Sequence, residues 1–297
     1  MRNEGPVLLG TSKPRSFDVV CVGEALWNLT TPGAAFSARA ATLRLGPGGG
    51  AVNAALALAG RGLRVGLATA LGDDSFGRAL ADRIAAAGVD VGGVTLAAPR
   101  TGLVFLQGSG AARQVVSYRD EEQPIAVPAG WTSQALLLSG VSPVVAHGAA
   151  LCKAARAARR AGTLVVVDVN ARWHSWSGRD ARACRTVLRE ADVVRCSARD
   201  LAALEVDAAW MRDALRRSAV LVESVGERAR APGPFGRVER GERGAVSARP
   251  AGAGDAFTAA LCAELLRKAD RRESALARWA RAVESARAAQ AAHRPWR

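Results

Sequence analysis

The chain has 297 residues, 49% of them apolar, with 41 Lys plus Arg against 27 Asp plus Glu and a formal net charge of +14. Length and apolar content predict a globular chain with a sizeable core, one large α/β domain or two small ones. No apolar run approaches the roughly 18 residues of a membrane span, and residues 1–16 lack the apolar centre of a secretory signal, so the expected location is the cytoplasm with no membrane partner.

Residues 17–24 read as a first buried strand, apolar and partly β-branched. Asn28 follows where the chain leaves it. Ligands of open α/β sheets gather beyond the carboxyl ends of strands, so Asn28 either meets a substrate hydroxyl or is a surface asparagine. Gly46-Pro47-Gly48-Gly49-Gly50-Ala51-Val52-Asn53 then leads into an alanine-rich helix over 54–61. Glycines before a helix permit close backbone approach to a ligand, and Asn53 offers a donor and an acceptor to a polyol; the alternative is a flexible loop with an N-cap. A second unit has a strand over 64–70, the turn Gly72-Asp73-Asp74-Ser75-Phe76-Gly77 and a helix over 78–87 closed by Gly88. The pattern then changes. Residues 101–106 and 113–118 predict two strands joined by Gly108-Ser109-Gly110, a hairpin suited to cover a site as a lid.

The alternation resumes with a strand over 135–138, a helix over 149–161 and a strand over 164–167 ending at Asp168-Val169-Asn170-Ala171-Arg172. A helix over 179–190, a strand over 192–196, an acidic-capped helix over 198–204 and a strand over 219–222 follow. Strand-then-helix repetition predicts a mainly parallel sheet covered on both faces, with right-handed crossovers. Residues 228–249, rich in Gly, Pro and charge, are the least regular stretch.

Ala251-Gly252-Ala253-Gly254-Asp255-Ala256-Phe257 comes next, before an apolar helical run over 256–266. Its small residues let backbone N–H groups turn inward at a helix start, which makes an anion site. A carboxylate there, Asp255, suits a group that sits beside a phosphate and accepts a proton from an incoming alcohol; the alternative is a glycine turn capped by an aspartate. The basic stretch 267–297 is expected to form solvated helix faces, with steering of an anionic substrate as a second reading. Only Lys13, Lys153 and Lys268 are lysines, and the arginines are spread along an alanine- and glycine-rich chain. That distribution fits genome composition better than a nucleic-acid surface, so no nucleic-acid partner is expected. Cys21, Cys152, Cys184, Cys196 and Cys262 are scattered and form no C-x-x-C pair, which fits reduced thiols rather than disulfides or zinc.

Three segments, Gly48-Gly49-Gly50-Ala51-Val52-Asn53-Ala54-Ala55, Gly72-Asp73-Asp74-x-x-Gly77 and Gly252-Ala253-Gly254-Asp255-Ala256-Phe257, resemble the ribokinase/PfkB carbohydrate kinases in order and separation. The resemblance covers residues 17–294, leaving 1–16 as an N-terminal tail. It implies a three-layer α/β/α core with a mainly parallel sheet and a small β-sheet lid, from segments at about 32–47 and 100–122. In many members the lid also forms the dimer contact, so a homodimer through the lid is expected. The resemblance further implies transfer of the γ-phosphoryl group of ATP, with Mg2+, to a sugar hydroxyl. Asp255 would be the base, and the turn Gly252 to Asp255 the anion hole, with the N–H groups of Ala253, Gly254 and Asp255 facing the phosphoryl charge. Asn28, Gly48, Gly49 and Asn53 would line the sugar site. Asp168 to Arg172, with Trp176 beyond, looks most like fructokinases and 2-keto-3-deoxygluconate kinases. The latter carry a tyrosine and an arginine facing an acidic sugar where this chain has Tyr118 and Arg119. A keto-sugar or sugar-acid substrate is therefore implied, with Asp168, Asn170 and Arg172 near it.

The departures from the pattern are specific. Asn28 stands where the family usually has an aspartate. The N-x-x-E element tied to magnesium and phosphate reads Ser197-Ala198-Arg199-Asp200, which leaves Asp200 as metal residue and Ser197 beside the nucleotide. The T-x-G-x-x-G strand motif for the nucleotide keeps only Ser224 and Gly226. Before the anion turn, Asp-Thr-Thr is replaced by Arg249-Pro250-Ala251. Many members bind a monovalent cation there; here Arg249 is expected to supply that charge instead. Two readings follow: an ATP-dependent sugar kinase with relaxed metal binding, or a protein that keeps the fold as a binding or regulatory partner or runs changed chemistry.

Overall fold

The computed structural model describes residues 7–9, 14–31, 42–107, 114–119, 123–140, 148–171, 181–225, 228–241, 251–268 and 273–294. Among them, fourteen strands build two sheets. The large sheet contains β1 (Val7–Leu8), β2 (Arg15–Gly23), β5 (Val65–Gly72), β6 (Val89–Ala98), β9 (Trp131–Ser139), β10 (Leu164–Asp168), β11 (Val193–Ser197), β12 (Val220–Val225), β13 (Arg228–Gly233) and β14 (Gly236–Arg240). Its order is β1-β6-β5-β2-β9-β10-β11-β12-β13-β14. The strands from β6 to β12 run parallel; β1 at one edge and β13 and β14 at the other pair antiparallel.

Strands buried on both faces carry continuous apolar runs, and β5 is buried along its whole length. Alternation sends Val19 and Cys21 of β2 into one core and Val20 and Val22 into the other. Helices α1 (Gly50–Ala59), α2 (Ser75–Ala86), α7 (Ala253–Leu266) and α8 (Ala275–Ala292) cover the first face. The second carries α3 (Gly148–Arg160), α4 (Ala181–Leu188), α5 (Ala198–Leu204) and α6 (Ala208–Ala214). The expected three-layer α/β/α arrangement with a mainly parallel sheet is the one observed. All five cysteines are buried and free; burial pushes the Cys184 and Cys262 thiols up to about 12, beyond easy ionisation.

The lid is a second sheet of β3 (Leu26–Thr30), β4 (Arg44–Gly48), β7 (Gly102–Gln107) and β8 (Gln114–Tyr118), in the order β4-β3-β7-β8. The expected hairpin is present as the antiparallel pair β7 and β8, while its turn at Gly108 to Gly110 lies outside the described residues. Asn28 does not sit in a connection after the first strand. It lies within β3, paired with Gly46 and Val104, so the lid begins earlier in the chain than the two lid segments read from sequence.

Several elements were not visible in the pattern. Strand β6 contains Gly92 and Gly93, and a side chain on Gly93 would lie 2.7 Å from the Leu67 carbonyl oxygen and 2.8 Å from the Trp131 indole that packs there. The hairpin of β13 and β14 hides in the charged stretch after 228, where Ala229, Ala231 and Val238 alternate into the core while Arg228 and Arg230 face Glu239. Phe235 at its turn stacks on Trp279 of α8 at 5.0 Å. Helix α6 starts from an Asp207 N-cap that accepts from the Trp210 N–H.

The Gly72 to Gly77 turn joins core and lid. Asp74 caps α2, accepting from the Gly77 N–H at 2.7 Å, and accepts again from both the N–H and hydroxyl of Thr101 at 2.8 Å, at the entry to β7. Burial works against the charged form of Asp74, but these donors outweigh it and hold its pKa below the ordinary value. We expect Asp74→Ala to cost about 1–2 kcal/mol of stability at pH 7 by urea unfolding. Because the folded pKa is depressed, the gap between wild type and variant is full above about pH 4 and closes as pH falls through the folded value. A gap unchanged down to pH 2 would contradict this role.

Candidate active site

The segment after β10 and the starts of α1 and α7 meet at Asp255, with Ser139 at the end of β9 close by. Two helix starts bring the positive ends of their dipoles together, which favours negative charge between them. At α7, the N-cap Gly252 adopts φ 87°, a left-handed conformation that side chains rarely take, and offers no side chain to cap the first N–H groups. At α1, Gly50 comes so close that a side chain there would lie 2.7 Å from the Asn170 amide and 3.3 Å from Asp255 Oδ1. Asp255 itself is buried. The Asn53 amide donates to its Oδ2 at 2.8 Å and the Asn170 amide to its Oδ1 at 2.8 Å. Asn170 holds a left-handed backbone, φ 38°, one that asparagine tolerates better than most residues. His293, at the end of α8, closes the outer side with Nε2 3.0 Å from the Ala251 carbonyl oxygen, and a side chain on Gly252 would lie 2.9 Å from that nitrogen.

Behind this turn lies a second cluster. Arg195 of β11 is buried, with Nη1 3.2 Å from Asp168 Oδ1 and 3.7 Å from Asp200 Oδ2, and with Nη2 donating to Ser224 Oγ at 3.0 Å. The Thr258 hydroxyl donates to the other Asp168 oxygen. Burial raises the Asp168 pKa above its ordinary value, against the pull of Arg195. Burial alone would lower the Arg195 pKa; the carboxylates of Asp168 and Asp200 reverse that and hold it charged.

Asp168 is thus turned into the interior, 1% exposed, and not toward an open sugar site. Ser197 and Asp200 form a capping box at the start of α5: the Ser197 N–H and hydroxyl both donate to Asp200 Oδ2 at 2.6 Å. That oxygen also faces Arg195, and among the described residues no three His, Cys, Asp or Glu side chains gather to hold an ion. The donor set at Asp200 does not fit a directly bound magnesium ion.

On the lid side, Asn28 lies against Gly48, where a side chain would meet its amide at 2.5 Å. Gly49, at φ 97°, lies over the Glu24 carbonyl, which a side chain would approach to 2.0 Å. Arg119 does not stand as a lone charge awaiting an anion: its Nη1 is 2.9 Å from Glu24 Oε1, and both side chains are nearly buried. Tyr118 is 60% exposed and packs edge-on to Phe105 at 5.7 Å. Tyr118 ends β8 and Arg119 follows it, and the two hold different partners, Phe105 and Glu24. Arg172, Trp176, Gly226 and Arg249 lie outside the described residues.

Residues 16–225 match the family model described as pfkB family carbohydrate kinase. The chain belongs to the PfkB family. Over a 197-position alignment this PfkB chain is 32% identical to Fructokinase-1 of Oryza sativa subsp. japonica, with 62% of this chain and 61% of that relative's length covered. A PfkB protein from Polaromonas sp. JS666 superposes with TM-score 0.69 at 26% identity, over 92% of this chain and 96% of that one. Aminoimidazole riboside kinase from Salmonella enterica, in complex with aminoimidazole riboside and an ATP analogue, superposes with TM-score 0.73 at 24% identity, over 93% and 92% of the two chains.

Within this PfkB fold, sequence reasoning missed Arg195 and His293. A guanidinium in a strand buried on both faces was itself a signal, because arginine is rarely buried without partners. His293 had none, since it follows an alanine-rich helix far from the turn in sequence. The geometry makes Asn170 the more telling substitution. Asn170→Ala removes a donor from a buried carboxylate and leaves alanine in a left-handed backbone, so we expect it to cost roughly 2–4 kcal/mol by urea unfolding. A change below about 0.5 kcal/mol, the usual size for surface positions, would contradict the placement of its amide on Asp255.

Proposed function

We propose that this protein transfers the γ-phosphoryl group of ATP to a hydroxyl of a small, neutral keto-sugar. The observation that carries the reading is Asp255: a buried carboxylate at the joint start of two helices, each oxygen held by an asparagine amide. The two amides fix the carboxylate plane, and each carboxylate oxygen can accept more than one hydrogen bond, so Asp255 is suited to take the proton of a sugar hydroxyl. As the hydroxyl oxygen attacks phosphorus, its proton passes to Asp255 and ADP leaves on the opposite side. The N–H groups of Ala253, Gly254 and Asp255 face the charge on the transferring group, and the positive ends of α1 and α7 add to it. Asn28, Gly48, Gly49 and Asn53 line the sugar side, and the lid sheet excludes water.

One relative carries the name fructokinase, which supports a ketose, and another was crystallised with an ATP analogue, which supports ATP as the donor. The pairing of Arg119 with Glu24 favours a neutral sugar over a sugar acid, because an acid would have to displace Glu24. Magnesium enters this reading with ATP, and no step of the reading depends on a protein-held ion. Arg249 in place of a monovalent cation stays part of it. So does a homodimer through the lid, for which Leu45, Val115, Val116 and Tyr118 supply exposed apolar surface. A second reading, a PfkB fold without phosphoryl transfer, is favoured by one observation: the Asp200 carboxylate is already taken up by Ser197 and Arg195.

The test is titration with ATP and magnesium across a panel of ketoses and sugar acids, followed by ADP release. We expect release that depends on one ketose, and Asp255→Asn to lower turnover at least about 100-fold while nucleotide binding persists. Full turnover in Asp255→Asn would refute the base. No nucleotide binding under any condition would select the second reading.

A further inference from the structure

Arg195 occupies a position where a doubly covered strand should carry an apolar side chain. Its guanidinium touches four separate elements: Asp168 at the end of β10, Asp200 in α5, Ser224 in β12, and the start of α7. The last contact is with the anion turn itself. A side chain on Gly254 would lie 3.3 Å from Nη1, and the guanidinium carbon lies 5.9 Å from the Phe257 ring centroid. Gly254 is therefore constrained by the arginine behind it, not by its own backbone angles.

Two further bonds connect the arginine to the base. Asp168 bridges Arg195 to Thr258, three residues beyond Asp255 and nearly one helical turn on. Asn170, two residues beyond Asp168, donates to Asp255. Displacing the guanidinium would release Asp168, and with it both the Thr258 tie and the strand end that carries Asn170. The planar fork reaches Asp168 and Ser224 at once, which a lysine ammonium at the same place does not.

We infer that Arg195 is a positioning residue for phosphoryl transfer: it locks the helix start that carries the anion turn and Asp255 against the carboxyl ends of β10 and β12. It meets neither sugar nor nucleotide and acts through Asp255. The catalytic half of this inference rests on the kinase reading; the structural coupling of Arg195 to Asp255 does not.

The experiment compares wild type with Arg195→Lys and Arg195→Met, each alone and combined with Asp255→Asn, by ADP release and by urea unfolding. We expect Arg195→Lys to fold and to lose ~30-fold or more in kcat, with sugar KM within about threefold, because misplacement of a reacting group by an ångström is that damaging. Arg195→Met should fall further; if it fails to fold, the lysine variant carries the test. In the Asp255→Asn background the lysine substitution should cost less than about threefold more, since the group it positions is already disabled. An equal factor in both backgrounds, or a loss explained by a smaller folded fraction at unchanged kcat, would overturn the inference. Should wild type release no ADP with any sugar, the kinase reading fails and the unfolding arm decides alone. Urea midpoint shifts of Arg195→Lys and Asp255→Asn that do not add sustain the coupling; shifts that add overturn it.

Discussion

One buried guanidinium facing buried carboxylates is the constraint on which this molecule depends. Arg195 lies against Asp168 and Asp200, and its charge is felt by Asp255 across the first turn of α7. Taking these groups out of water costs several kcal/mol per ion, repaid only when geometry and additional hydrogen bonds are good. Thr258, Ser224, Ser197, Asn53 and Asn170 supply those bonds. The site is therefore held rigid by its own electrostatics: no member can move without leaving a partner charged and unmatched. The three-layer fold brings these groups together because parallel strands deliver their carboxyl ends to one edge of the sheet.

Close backbone approach is the second requirement, and glycine meets it. Gly49 and Gly50 bring the start of α1 against Glu24, Ser139 and the base, while Gly252 turns the chain so that α7 begins beside them. The same segment that approaches the base also enters the lid, since Gly48 ends β4 and faces Asn28 of β3. Asp74 and the Glu24–Arg119 pair tie lid to core from either side. In the proposed reaction, a sugar between lid and sheet would meet walls whose spacing is set by packing rather than by loops, the arrangement that positional catalysis needs.

Much of this was legible in the sequence because it is local. The alternation of strand and helix, the two glycine motifs and the carboxylate after the second are all short-range patterns, and the fold follows them. What was not legible depends on partners distant in the chain. Strand β6 was hidden by glycines with distant neighbours, Arg15 beside Gly92 and the Leu67 carbonyl and Trp131 ring beside Gly93, and β13 and β14 by charges that pair across the hairpin with Glu239. The resemblance placed Asp168 near the sugar and Asp200 at the metal. Their partner, Arg195, could be recognised only by asking what neutralises a guanidinium inside a doubly covered sheet. Tyr118 and Arg119 illustrate the converse: the resemblance placed both toward the sugar, but Tyr118 packs on Phe105 and Arg119 pairs with Glu24.

The account stands most directly on where the transferring phosphoryl group sits. A crystal structure with ADP, magnesium, aluminium fluoride and the proposed ketose would show it. The account predicts a planar fluoride held by the N–H groups of Ala253 and Gly254, with the sugar hydroxyl between it and Asp255. Fluoride bound away from this turn, or a sugar hydroxyl with no contact to Asp255 when the nucleotide is present, would contradict it.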